Sequence, residues 1–247
     1  MLEIPFGVPY YGLDLRERVK TGLILQFFQE AAASHADRIK SGVEDLQKNN
    51  TTWVLRRYRI RIHSYPQRGT LTVRTWYEAH RNLMSVRVFE LVDEQGQKHA
   101  DAWSSWIVVD LAKGRPQRLD RVLPPEYFES MEPTGEFLDE PLAALDPGSY
   151  DYEKDFSVRW SELDINRHTN HTVYFEWALE SVPEEIWMTH VPMGLDAEYL
   201  SSVQRTDVTV GTRLLNEAPP TYAHSIRTND GTEAARVNTV WERAPVL

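Results

Sequence analysis

Residues 159–183 read RWSELDINRHTNHTVYFEWALESVP. Asp164, Asn166 and His168 alternate, and a helical pattern begins at about Asn170. In an extended segment alternate side chains point the same way, about 6.6–7 Å apart. The three polar groups are therefore expected on one side of a strand-to-helix turn. Asn170 is a good N-cap, which places the free N–H groups and positive dipole end of the next helix nearby. A carboxylate, an amide and an imidazole beside a helix start can activate a water and stabilise an oxyanion. The helix that follows is expected from about 170 to 188, with a kink or early end at Pro183.

An echo of this stretch lies 150 residues earlier. Leu13-Asp14-Leu15 aligns with Leu163-Asp164-Ile165, Phe27 with Trp177, and Glu30 with Glu180. Arg16 and Arg18 then take the places of Asn166 and His168. The order of elements repeats as well. An edge strand in residues 1–20 precedes a helix over 22–40, whose first half, GLILQFFQEAAA, is apolar on almost every side and so belongs inside a fold. Four strands are expected over 52–109: TWVLRRYRIRI, TLTVRTWYEA, MSVRVFELVD and KHADAWSSWIVVD. The turn signals YPQRG and DEQGQ make them an antiparallel meander. Arg57, Arg59 and Arg61 share one face of the first strand, read as solvated. From Lys113 to Tyr150 periodicity is lost among prolines, as in an exit loop and linker. DFSVRW, the second helix, YLSSVQ, DVTVGTR, YAHSIRT and AARVNTVWER complete the second series. The expected domains are 1–132, a linker over 133–150, and 151–247.

Composition narrows the function. The 247 residues are 41% hydrophobic, enough for a sizeable core, and include eight Trp and eleven Tyr, as broad sheet surfaces require. There is no cysteine, which excludes a thiol nucleophile, a disulfide framework and a thiolate zinc site. The net charge of -10 argues against general nucleic-acid binding. No apolar run of spanning length and no leader is evident, so a cytoplasmic protein without a membrane span is expected. His168 and His171 lack an evident third ligand, so neither metal nor cofactor is expected. No Gly-x-Ser-x-Gly elbow, P-loop or dinucleotide fingerprint occurs.

At Asp164, Asn166, His168, Asn170, Tyr174, Trp177, Glu180 and Ser181 the chain resembles the acyl-ACP thioesterases. TWVLRRYRIRIHSYPQRGTLTVRTW, NLMSVRVFELVDEQG and AWSSWIVVD extend the similarity over roughly residues 10 to 240. The resemblance implies an α+β tandem hotdog fold, two long antiparallel sheets each wrapping a central helix. It implies hydrolysis of fatty acyl-ACP, with acyl carrier protein as partner and Asp164, Asn166 and His168 at the catalytic positions. The acyl chain is then expected in the first half, against Phe27, Phe28 and Ala31. Ser202 and Val203 stand where the family carries a Glu-Cys pair; Glu198 lies too far along its strand to substitute. An acyl-CoA thioesterase and a non-catalytic acyl-ligand binder are the alternatives. Two hotdog halves form a pseudo-dimer, so monomer and homodimer both remain open.

Overall fold

The computed structural model describes residues 1–81, 83–129 and 140–244. The chain forms two compact units, Met1–Tyr58 with His63–Asp139, and Arg59–Ile62 with Glu140–Leu247. The expected boundary at 132/133 and the linker's first part, 133–139, fall outside the described residues.

The first unit contains β1 (Leu2–Gly7), α1 (Thr21–Arg38), α2 (Val43–Gln47), β2 (Thr51–Ile62, whose end Arg59–Ile62 belongs to the second unit), β3 (Thr70–Arg81), β4 (Met84–Asp93), β5 (Lys98–Asp110), β6 (Arg115–Gln117), α3 (Leu119–Val122) and α4 (Pro125–Glu129). Its strands run in the order β1-β3-β4-β5-β2. Helix α1 lies along one sheet face because its apolar side chains recur on the side toward the strands. Phe27 stacks on Phe6 of β1 at 4.5 Å, and Phe28 meets Phe89 of β4 at 5.1 Å. Residues expected to be a plain exit loop instead form α3 and α4. Leu119, Leu123 and Tyr127 join Leu46, Tyr77 and Val108 in one buried cluster. The arginines of β2 do not share a solvated face either: Arg57 is buried, and Arg59 pairs with Asp196 at 2.9 Å.

The second unit contains β7 (Tyr152–Ser157), α5 (His171–Glu180), α6 (Glu184–Thr189), β8 (His190–Tyr199), β9 (Asp207–Glu217), β10 (Pro220–Thr228) and β11 (Glu233–Arg243), ordered β8-β11-β10-β9-β7. Helix α5 ends before Pro183, which caps α6, so the expected break is present. YLSSVQ is not a strand; it is the exit from β8, whose last residue is Tyr199. Residues 140–150 carry no helix or strand and are fastened down. Leu142 N donates to Glu198 Oε2 at 2.9 Å, and Arg236 Nη1 donates to Leu142 O at 2.9 Å. The Tyr150 ring lies so close over Gly211 that a Cβ there would collide with it.

Each unit is thus a hotdog repeat of the α+β class, and the two match bond for bond around the helix entry. One-turn 3-10 helices occupy Tyr10–Gly12 and Trp160–Glu162. Isolated bridges pair Leu13 with Val19 and Leu163 with Thr169. Val19 N donates to Pro66 O at 3.0 Å, and Thr169 N to Val203 O at 2.8 Å. The repeat spacing is therefore 150 residues before and through the helix, and 137 after it.

Each unit also buries a neutral imidazole between helix and sheet. His35 Nδ1 bonds Arg87 at 3.1 Å. His224 Nδ1 bonds Ser181 Oγ at 3.1 Å and Thr212 Oγ1 at 3.0 Å, while its Nε2 bonds Thr239 Oγ1 at 3.0 Å. Burial, reinforced at His35 by the Arg87 charge, lowers each pKa to about 3. In the unfolded chain both titrate near the ordinary value of about 6.5, so the unfolded state takes up the proton first. Their contribution is complete above about pH 6.5 and is lost as pH falls toward 3. At about pH 5 each unit should be about 2 kcal/mol less stable than at about pH 7.5 from this residue alone. Urea unfolding at the two pH values checks this; unchanged midpoints would contradict it.

Candidate functional site

The segment between Leu163 and Thr169 is a closed turn, not the extended run that the alternation suggests. Asp164 N donates to His168 O at 2.8 Å, and Arg167 N to Asp164 O at 2.9 Å. Asp164 Oδ1 accepts from Asn166 N at 2.8 Å and from His168 N at 3.2 Å. A short carboxylate bonding the backbone two residues on favours a turn over a strand. Arg167 completes it with a φ of 62°, in the left-handed region. Asp164 and His168 are thereby held half-buried at the two ends of the turn, while Asn166 is exposed at its tip. Asp164 Oδ2 accepts no hydrogen bond among the described residues.

The turn runs directly into α5. Asn170 caps the helix, its Oδ1 accepting from Thr172 N at 3.0 Å and Thr172 Oγ1 at 2.9 Å. Val173 N donates to Asn170 O at 3.0 Å. The amides of Thr172 and Val173 are thus used by the cap, which removes them from the oxyanion donors expected there. Glu198 is likewise committed, lying 3.9 Å from Arg236 in addition to its bond to Leu142.

Behind the turn stands a wall that the alternation did not reveal. His171, the first residue of α5, sets its ring edge against Tyr199 at 6.3 Å, and Tyr199 Oη donates to its carbonyl at 3.0 Å. Burial lowers the His171 pKa to about 4, against the opposing pull of the Asp164 charge. Tyr174 accepts from Val203 N at 3.1 Å, and burial, with the Asp164 charge adding to it, raises its phenol to about 12. A neutral imidazole and a protonated phenol therefore back the Asp164 carboxylate across the physiological range. Ser202 is exposed beside Val203, at the place where the first unit has Tyr65.

The first unit builds the same turn and closes it. Asp14 N donates to Arg18 O at 2.7 Å, and Asp14 Oδ1 accepts from Arg16 N at 2.8 Å and Arg18 N at 3.0 Å. Glu17 has the matching left-handed φ of 59°. Here, however, Asp14 Oδ2 is bound by Arg18 Nη2 at 2.8 Å and by Nε at 3.3 Å. The guanidinium lies 4.7 Å over the Tyr65 ring, and Tyr65 Oη bonds Thr21 Oγ1 at 2.9 Å. Ser64 Oγ and His99 Nδ1, 2.9 Å apart, with His99 Nε2 and Asp93 Oδ2, 3.0 Å apart, hold that loop from behind. Arg18, Thr21 and Tyr65 occupy the positions of His168, His171 and Ser202. An arginine and a large ring fill in one repeat what an imidazole and a hydroxymethyl group leave open in the other.

The outer rim is common to both. Arg68 stacks on Tyr10 at 4.0 Å and Arg205 on Trp160 at 4.6 Å, so this clamp belongs to the scaffold. Of the residues expected to line an acyl pocket, Phe28 and Ala31 are fully buried on α1 and Phe27 is 8% exposed. Among the described residues no cluster of three or more His, Asp or Glu side chains is arranged to hold a metal ion.

Comparison with known proteins agrees with this architecture. The chain is 26% identical over 276 residues to an oleoyl-acyl carrier protein thioesterase of Arabidopsis thaliana, spanning 97% of this chain and 75% of that one. An acyl-[acyl-carrier-protein] hydrolase of Cuphea viscosissima is 28% identical over 254 residues, which is 96% of this chain but 60% of the relative. The fold superposes on an acyl-ACP thioesterase from Bacteroides thetaiotaomicron with a TM-score of 0.86, at 21% identity and 97% coverage of both chains. It superposes on a 12:0-ACP thioesterase from Umbellularia californica with a TM-score of 0.85, at 23% identity and with 98% and 94% covered. Residues 3–128 match the family model for the acyl-ACP thioesterase N-terminal domain and residues 147–243 that for the C-terminal domain, so the chain belongs to the acyl-ACP thioesterase family.

Proposed function

We propose that this chain hydrolyses the thioester of a fatty acyl group carried on acyl carrier protein, in the cytoplasm, and that the reaction takes place at the Asp164 turn. The observation that carries this reading is the contrast between the two repeats. The first turn ties up its aspartate with Arg18; the second leaves Asp164 Oδ2 without a hydrogen-bond partner among the described residues. A thiolate is a good leaving group, so direct attack by water suffices. Asp164 Oδ2 accepts a proton from the water as its oxygen bonds to the acyl carbon. The exposed Asn166 amide donates to the carbonyl oxygen as charge develops there. His168 orients the water or protonates the departing sulfur. The products are the free fatty acid and the carrier thiol. The family membership supports an acyl chain lying along α1 in the first unit, where Phe28 and Ala31 are the candidate lining.

The test is hydrolysis of short, medium and long saturated acyl-ACPs with product analysis, beside the matching acyl-CoAs. Turnover of acyl-ACP with higher kcat/KM than acyl-CoA is expected. Preference for the CoA esters would transfer the reading to an acyl-CoA thioesterase. Binding without turnover would leave an acyl-ligand binder.

A further inference from the structure

Arg87 of β4 is 4% exposed. Its Nη1 donates to Thr75 Oγ1 at 3.1 Å and to His35 Nδ1 at 3.1 Å. Its Nη2 donates to Tyr77 Oη, and the guanidinium lies 4.0 Å from the Tyr77 ring centroid. Thr75 Oγ1 spends its own proton on Val88 O at 2.9 Å, so toward Arg87 it acts as an acceptor. His35 is neutral, which leaves its Nδ1 free to accept. All three partners are therefore uncharged, and among the described residues no carboxylate pairs with this guanidinium. Arg18, Arg59 and Arg236, by contrast, all reach an aspartate or glutamate.

An arginine cannot shed its charge by losing a proton, so a buried one without an anion is costly. The second repeat shows that the fold does not need it. At the equivalent position, 137 residues on, stands His224, a neutral ring bonded to Thr212, the equivalent of Thr75. The hotdog core thus closes over a neutral side chain in one repeat and over a full cation in the other. Arg87 also sits in a particular place. Phe28, Ala31 and His35 lie on one face of α1, and all three are buried. An acyl chain lying along that face past Ala31, as in the function proposed above, would meet the His35–Arg87 pair.

We propose that Arg87 is a recognition site for an oxygen carried on the acyl chain, so that the preferred substrates are oxygenated acyl groups (hydroxy-, oxo- or carboxy-acyl) in place of plain saturated ones. This rests on the hydrolase reading with the acyl chain against α1. A saturated chain would bring methylene groups against a charged guanidinium that can accept nothing from them. A hydroxyl, oxo or carboxylate oxygen would accept one of its N–H bonds, and a carboxylate would also supply the missing countercharge.

The experiment compares kcat/KM for acyl-ACPs of matched length carrying a saturated, hydroxy-, oxo- or terminal carboxy-acyl chain. It uses the wild type and Arg87→Met, which keeps the stem and removes the charge. Hydrogen bonds to a charged group are worth about 10- to 100-fold, so the wild type should favour at least one oxygenated chain by that factor. In Arg87→Met that ratio should fall toward unity. A wild type that prefers the saturated chain, or an unchanged ratio in Arg87→Met, overturns the proposal. If Arg87→Met does not fold, the wild-type ratio decides alone. Absence of turnover on every chain is a failure of the hydrolase reading. Calorimetric binding of the corresponding free acids to the wild type then judges Arg87: tighter binding of the oxygenated acid supports it, and equal affinity overturns it.

Discussion

Asp164→Asn is expected to lower kcat on acyl-ACP by about 10²–10³ or more while leaving the fold intact. The substitution separates two duties of one side chain. An asparagine Oδ1 still accepts from the backbone N–H groups of residues 166 and 168, so the turn survives. What disappears is the charge and the second carboxylate oxygen, the acceptor assigned to the attacking water. The loss should appear in kcat more than in KM, because the proton moves only in the transition state. Circular dichroism and a thermal melt alongside the kinetics distinguish this from unfolding. A folded Asp164→Asn protein with wild-type kcat would remove the aspartate from the chemistry.

The largest stability effect is expected at Trp241. It is fully buried on β11, its Nε1 donates to Thr239 Oγ1 at 3.0 Å, and its ring meets Trp187 of α6 edge-on at 5.1 Å. Trp241→Ala removes the largest fully buried side chain among the described residues and leaves a cavity that its neighbours fill only in part. The cost should be about 3–5 kcal/mol, a large share of a domain's net stability. It should also loosen α6, which rests on that ring through Trp187. Urea unfolding of the full chain measures this; a loss below about 1 kcal/mol would mean that the site collapses without penalty.

What the residues disclosed about the fold follows from which forces act locally. The apolar girth of GLILQFFQEAAA and the alternation in TLTVRTWYEA report burial directly, so α1 and the first meander were readable. β8 was not: Pro192 and Gly194 interrupt His190–Tyr199, and tertiary pairing, with β11 among its partners, makes it a strand. Helices α3 and α4 were hidden among prolines because their stability comes from packing on Tyr77 and Val108. At the site, the residue types were legible and their geometry was not. The spacing of Asp164, Asn166 and His168 mimics a strand, but side-chain-to-backbone bonds and a left-handed Arg167 fold it into a turn. The sequence offers His171 only as a metal ligand, since its relation to Asp164 and Tyr199 is tertiary. The meaning of Ser202 emerges only when Tyr65 is seen filling the same place in the other repeat.

In the proposed function two copies of one turn have divided, one open for chemistry and one sealed by its own arginine. The most direct measurement is kcat/KM on a single acyl-ACP for Asp14→Asn and Asp164→Asn side by side. Turnover close to wild type in Asp14→Asn, with a fall of about 10² or more in Asp164→Asn, is the predicted result. Equal losses in two folded variants, or a loss confined to Asp14→Asn, would contradict it.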